Sequence, residues 1–131
     1  MATRWMDNDV YGHVNNVVYY SFFDTAVNRY LIEHDALDPV HGSVVGLVVH
    51  TRCDYFSALS FPQTVHAGLR VAHVGRSSVR YEVALFAQDL DLAAAAGHFV
   101  HVYVDRASRR PVDHLPQALL QALQPLKGPA P

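Results

Sequence analysis

"MDNDVYGHVNNVVYY", residues 6–20, sets two aspartates, a glycine, a histidine and two asparagines directly ahead of an apolar run. Asn and Asp favour caps and turns because their side chains hydrogen-bond to nearby backbone. Gly12 permits a sharp turn or a close backbone approach. Beyond it the texture changes. Residues 14–34 predict one long helix, with Tyr19, Phe23, Ala26 and Tyr30 recurring at helical spacing. Val18, Phe22 and Thr25 lie beside them, and Val27 and Leu31 extend the band. No glycine or proline interrupts the run, and Asn15 or Asn16 is placed to cap its start. So wide an apolar face predicts deeper burial than a surface helix has.

After a loop containing Asp38-Pro39 and His41-Gly42, the pattern becomes that of strands. Residues 44–55 are rich in β-branched side chains, with His50, Arg52 and Asp54 on one face and Val49, Thr51, Cys53 and Tyr55 on the other. Residues 64–74 alternate again, placing Val65, Ala67, Leu69 and Val71 together. Gly75-Arg76-Ser77 reads as a hairpin turn. Val79, Tyr81, Val83 and Leu85 then alternate with Arg80, Glu82, Ala84 and Phe86. Gln88-Asp89-Leu90-Asp91 turns into a last strand over residues 92–105, and residues 116–126 predict a short helix.

With a short strand ahead of Asp7, the expected sheet has about five strands. Tight turns imply antiparallel neighbours. A long apolar helix against such a sheet is an α+β layer architecture. Residues 1–131 form one expected domain, with a flexible tail from about 127. Phe86, Ala84, Phe99 and Tyr103 are expected on the second face of the sheet, where they would meet a partner subunit.

Composition agrees with self-association. Half the chain is hydrophobic and only 17% is charged, against roughly 25% in ordinary soluble domains. A formal charge of −2 leaves no basic stripe to neutralise phosphates, which argues against nucleic acid as a partner. One cysteine, Cys53, allows no intrachain disulfide, so a reduced, cytoplasmic setting is expected. No stretch reaches the roughly 18 uncharged apolar residues of a membrane span.

The nine histidines raise the question of a metal, but neither HExxH nor CxxC occurs. His98 and His101 should face opposite sides of a strand, as should His66 and His73, so no metal site is expected. Cys53 reads as a small core residue. Residues 7–16 remain as the place for chemistry. With the backbone extended through Asp7 and Asp9, both carboxylates would point the same way. A helix N-terminus presents unpaired N–H groups and partial positive charge, which stabilise an oxyanion. An aspartate beside it can serve as a nucleophile or as a base toward water. The same residues serve equally well as a cap and a turn, and both readings stand at this point.

Asp-x-Asp-x-x-Gly-His-Val-Asn-Asn, followed by Tyr19, Phe22-Phe23 and Asp24, resembles the 4-hydroxybenzoyl-CoA thioesterase branch of the hotdog-fold superfamily. The resemblance covers roughly residues 3–106. One helix followed by four antiparallel strands is the hotdog order, residues 48–62 resemble its second strand and exit turn, and Val74-Gly75-Arg76-Ser77-Ser78 resembles its central hairpin. The resemblance implies hydrolysis of an acyl-CoA thioester, with no cofactor beyond the coenzyme A of the substrate.

By position, Asp9 matches the catalytic aspartate, which attacks the carbonyl or activates water. Asn16 matches the position whose backbone N–H polarises the carbonyl. His13 and Tyr19 match positions near the acyl pocket, and Arg76 and Ser77 match the segment that meets the CoA phosphates or pantetheine. The family's site forms between subunits, which implies a homodimer or homotetramer. Asp7 is the rival carboxylate, and Asp24 reads as a hydrogen-bonded structural acid. The alternative is a non-catalytic module that binds acyl-CoA or acyl carrier protein. The His-Val-Asn-Asn entry departs from the aromatic-rich helix start of the aryl-CoA enzymes, so the acyl group stays open: short, medium or aromatic.

Overall fold

A computed structural model describes residues 1–88 and 90–127. Asp89 of the expected turn and residues 128–131 of the expected flexible tail lie outside them. A 3-10 turn, Trp5–Asp7, leads to helix α1, Asn16–Glu33. Four strands follow: β1, Val44–Tyr55; β2, Val65–Val74; β3, Ser78–Ala87; and β4, Ala95–Asp105. Helix α2, Gln117–Leu123, and a second 3-10 turn, Gln124–Leu126, complete the order.

The strands form one antiparallel sheet in the order β1-β4-β3-β2. β1 and β2 are therefore the two edges, and residues 56–64 cross the end of the sheet to join them. That crossing is pinned early, where the Phe56 and Ser57 N–H groups both donate to the Ala94 carbonyl at 2.8 and 3.0 Å.

Asn15 caps α1, its side chain accepting from the Val17 N–H at 3.1 Å. The helix buries Tyr19, Phe22, Phe23, Val27 and Leu31 in one core with Val65, Val71, Val79, Tyr81, Val83 and Leu85 of the sheet. Each such side chain is worth about 1.5–3 kcal/mol when fully withdrawn from water. Gly97 lets this packing close, since a Cβ there would collide with the Arg52 carbonyl and the Phe23 ring. Leu119 and Leu123 of α2 join the same core, and the Tyr30 hydroxyl donates to the Ala122 carbonyl at 2.7 Å. A sheet around one long helix is the hotdog architecture that the resemblance implies.

Four expectations change. First, the sheet has four strands. The chain start adds only an isolated pairing of Ala2 with Thr64, because the 3-10 turn at Trp5 ends the extended run. Second, α1 buries a single stripe and leaves Val17 and Ile32 exposed.

Third, Phe99 and Tyr103 are buried on the helix side, where Phe99 pairs with Tyr81. The outer face is instead lined largely by charged and small residues. Fourth, His66 and His73 share that outer face. The ladder slips between Val71 and His73, and one extra residue reverses the alternation beyond it. β1 slips likewise between Val48 and His50.

His98 and His101 do face opposite ways. His101 is buried beside two tyrosines, its Nδ1 3.1 Å from the Tyr103 hydroxyl, which lies 2.6 Å from that of Tyr81. Burial pushes the His101 imidazole down to about 4.

Candidate active site

The loop ahead of α1 is tied into a small closed turn. The Asp9 N–H donates to the His13 carbonyl at 2.9 Å, and the Gly12 N–H donates back to the Asp9 carbonyl at 3.1 Å. Gly12 has φ +79°, a left-handed conformation that favours glycine. The Asp9 Oδ1 accepts the Tyr11 N–H at 2.9 Å, closing an Asx turn. This bond orients the carboxylate and engages one of its two oxygens. Asp9 is half-buried.

Two further bonds fasten the turn to the crossing segment. The Asn8 Oδ1 accepts from the Phe61 N–H at 3.0 Å, and the Val14 N–H donates to the Leu59 carbonyl at 2.6 Å. The Asn15 N–H donates to the Asp7 carbonyl at 2.8 Å.

Asp7 does not share a direction with Asp9, because the 3-10 turn replaces the extended backbone that would align them. Its side chain is buried against Arg4. Oδ1 accepts from Arg4 Nη2 at 2.8 Å and Nε at 3.1 Å, and Oδ2 accepts from the Arg4 backbone N–H at 2.8 Å. Burial raises its carboxyl pKa, but the hydrogen bonds and charge of Arg4 outweigh that and hold it below the ordinary value. With its oxygens bonded and no access to solvent, Asp7 is structural. Asp24 is hydrogen-bonded on the exposed side of α1, accepting from Asn28 Nδ2 at 2.9 Å.

Asp9, His13, Asn16 and Tyr19 line one open cleft of about 470 Å³. Asn16 is the first residue of α1. Val17 and Val18 direct their N–H groups to Asn15, while the Asn16 N–H donates to no acceptor among the described residues. Tyr19 is buried at the back. Its hydroxyl accepts from the Leu59 N–H at 3.3 Å, and burial raises its pKa, keeping it protonated.

Sequence reasoning missed the opposite wall: Tyr55, Phe56, Ser57 and Ala58. Tyr55 stands edge-on to Tyr19, ring centroids 4.9 Å apart, and its hydroxyl reaches the Asn16 carbonyl at 3.3 Å. The available signal was the aromatic pair at the end of a strand, directly before the exit turn.

Arg76 and Ser77 do not reach this cleft within one chain. They form the β2–β3 hairpin, where the Ser77 carbonyl accepts from the Tyr103 N–H at 2.7 Å. Tyr103 pairs with Gly46, at the far end of β1 from Tyr55. Nine strand residues separate the two ends, about 30 Å at roughly 3.3 Å per residue.

Among the described residues, no three His, Cys, Asp or Glu side chains gather as a metal site, and no helix is long and apolar enough to cross a membrane.

Comparison with known proteins gives this geometry a family. The thioesterase superfamily profile matches residues 11–94, which begin within the turn, after Asp9, and span α1 and three strands. The crystal structure of the PA5185 protein from Pseudomonas aeruginosa is similar at 58% identity, over 100% of this chain and 91% of that one, with a TM-score of 0.96. A thioesterase from Thermus thermophilus, complexed with coenzyme A and zinc, is 32% identical over 99% of this chain and 93% of its own, with a TM-score of 0.78. Slr0204 from Synechocystis, a 1,4-dihydroxy-2-naphthoyl-CoA thioesterase, shares the fold at 17% identity and a TM-score of 0.85, over 98% of this chain and 96% of its own. No curated protein matches. The chain belongs to the thioesterase superfamily, the hotdog-fold thioester hydrolases.

Proposed function

We propose that the chain hydrolyses acyl-CoA thioesters to free acid and coenzyme A in the cleft beside Asp9. The observation that carries this reading is the meeting, in one cleft, of a half-buried carboxylate and the first turn of a capped helix. A thioester carbonyl is electrophilic and a thiolate leaves readily, so an oriented carboxylate and a few backbone donors suffice. The Asp9 carboxylate attacks the carbonyl carbon or takes a proton from an attacking water. The Asn16 N–H, at the positive end of α1, stabilises the developing oxyanion. His13 and Tyr19, with Tyr55 and Phe56, enclose the acyl group.

Arg76 and Ser77 contact the coenzyme A portion from a second copy of the chain, since their own cleft is too distant. This supports a homo-oligomer whose site is completed across the interface. The coenzyme A in the Thermus relative supports the same substrate class.

Thiol release from a panel of acyl-CoAs tests the reading. Asp9→Asn is expected to remove turnover at least 100-fold, the low end of general acid–base contributions of about 10²–10⁴, with the melting temperature unchanged. Equal rates for Asp9→Asn and the parent chain would exclude Asp9. Binding of acyl-CoA without turnover by the parent chain would favour a non-catalytic acyl-CoA module.

A further inference from the structure

The outer face of the sheet, on the far side from α1, carries its charge in rows. Arg52, His98, Glu82 and Arg70 stand side by side across β1, β4, β3 and β2. On one side the neighbouring row holds His50 and Arg80; on the other lie Ala96, Ala84 and Gly68, a flat floor of small residues. A trough of about 490 Å³ runs over this floor, bringing together three guanidinium groups, two carboxylates and one imidazole.

The charges in the trough do not cancel. Arg52 pairs with Asp54 at 3.3 Å and Arg70 with Glu82 at 2.5 Å. Arg80 pairs with no carboxylate among the described residues. Its Nη2 lies 3.1 Å from the His98 Nδ1. Arg can only donate, so this Nδ1 accepts and the neutral ring carries its hydrogen on Nε2. His50 stacks on His98 at 4.8 Å, 21° from parallel, and fixes the ring plane. Burial, with the nearby charge of Arg80, His50 and Arg52, lowers the His98 pKa against the opposing pull of Glu82. The Nε2–H therefore points away from Arg80, whose guanidinium keeps the donors that it does not spend on His98.

We propose that this trough binds a phosphate-type oxyanion through the remaining donors of Arg80, whose guanidinium His98 holds in place, with Arg52 at its rim. Guanidinium is suited to phosphate because its planar donors match two oxygens at once. The oxyanion is free phosphate or the phosphomonoester of a nucleotide, whose base would lie on the Ala84 and Ala96 floor. The site lies on the opposite face of the sheet from the Asp9 cleft and does not depend on the reading of that cleft.

The test follows the His98 imidazole by NMR at pH 7 and constant ionic strength. Inorganic phosphate is expected to give a saturable shift and to make His98 titrate at higher pH than in chloride. Arg80→Gln is expected to weaken binding at least tenfold, with calorimetry on His98→Gln giving the same loss. Both side chains lie on the outer face, and thermal melts verify folding. A non-saturating shift, or the same affinity in Arg80→Gln as in the parent chain, would overturn the proposal. Titration with adenosine monophosphate separates the two ligand sources. Equal affinity assigns the site to the free anion, and at least tenfold tighter binding assigns the floor to a base.

Discussion

Asp7 and Asp9 stand two residues apart in opposite surroundings. Asp7 is enclosed and fully bonded to Arg4, whereas Asp9 keeps an oxygen free at the edge of a cleft. Asp7→Asn is expected to lower stability by about 1–2 kcal/mol, the lower part of the range for charged hydrogen bonds, because Arg4 itself is exposed. That corresponds to a fall in melting temperature of about 4–8 °C for a domain of this size, with thiol release retained at 25 °C. The pH dependence has a fixed sign. Asp7 binds its proton less readily when folded, so its stabilisation is full above the ordinary value of 3.8 and fades as pH falls through the lowered folded value. Asp7→Asn should therefore melt at a temperature less sensitive to acid than the parent chain does, by calorimetry between pH 5 and 2. The motif indicated Asp9 over Asp7, but the sequence held no sign that Arg4 would enclose Asp7.

At the scale of elements, the first turn of α1 carries both structure and, in the proposed site, chemistry. Asn15→Ala removes the side-chain cap, at a cost of about 1 kcal/mol. Because the adjacent Asn16 N–H belongs to the same turn, fraying there should also lower kcat by about tenfold while KM changes little. Steady-state kinetics beside a thermal melt separate the two effects. The helix and all four strands were legible, because spacings of 3.6 and 2 follow directly from which faces are buried. The His66–His73 pair was misplaced because alternation counts residues, and an extra residue at Ala72 reverses the count without any change in composition. Phe99 and Tyr103 lie on an unbroken strand with apolar residues on both faces, so alternation alone did not assign its sides. The N-terminal strand failed differently. A local hydrogen bond from Arg4 to Asp7 favours a turn where pattern alone suggested extension.

At the scale of the whole molecule, the cleft and the hairpin lie at opposite ends of one sheet, so the proposed site, with Arg76 and Ser77 in it, requires two chains. β1 is an edge strand that leaves Leu47, Val48 and Val49 exposed, and such edges pair with other chains unless charge or proline prevents it. In the proposed dimer, Val49→Lys is expected to reduce the mass in sedimentation to that of one chain. It should also lower thiol release at least tenfold, although Asp9 and its turn are untouched. An unchanged mass and rate would place the interface elsewhere. Charge composition suggested self-association, yet residue spacing could not show which chain's Arg76 would meet which cleft.

The crossing segment has a consequence for how such a protein diversifies. It holds the turn that carries Asp9 through two main-chain atoms, the Leu59 carbonyl and the Phe61 N–H, while the Leu59 N–H holds Tyr19 of α1. The side chains it offers to the cleft, Phe56, Ser57 and Ala58, take no part in that hold. On the proposed reading, selection can therefore rewrite the wall that meets the acyl group while the scaffold beneath Asp9 stays fixed. Substrate preference can drift among descendants of one ancestor faster than the reaction itself.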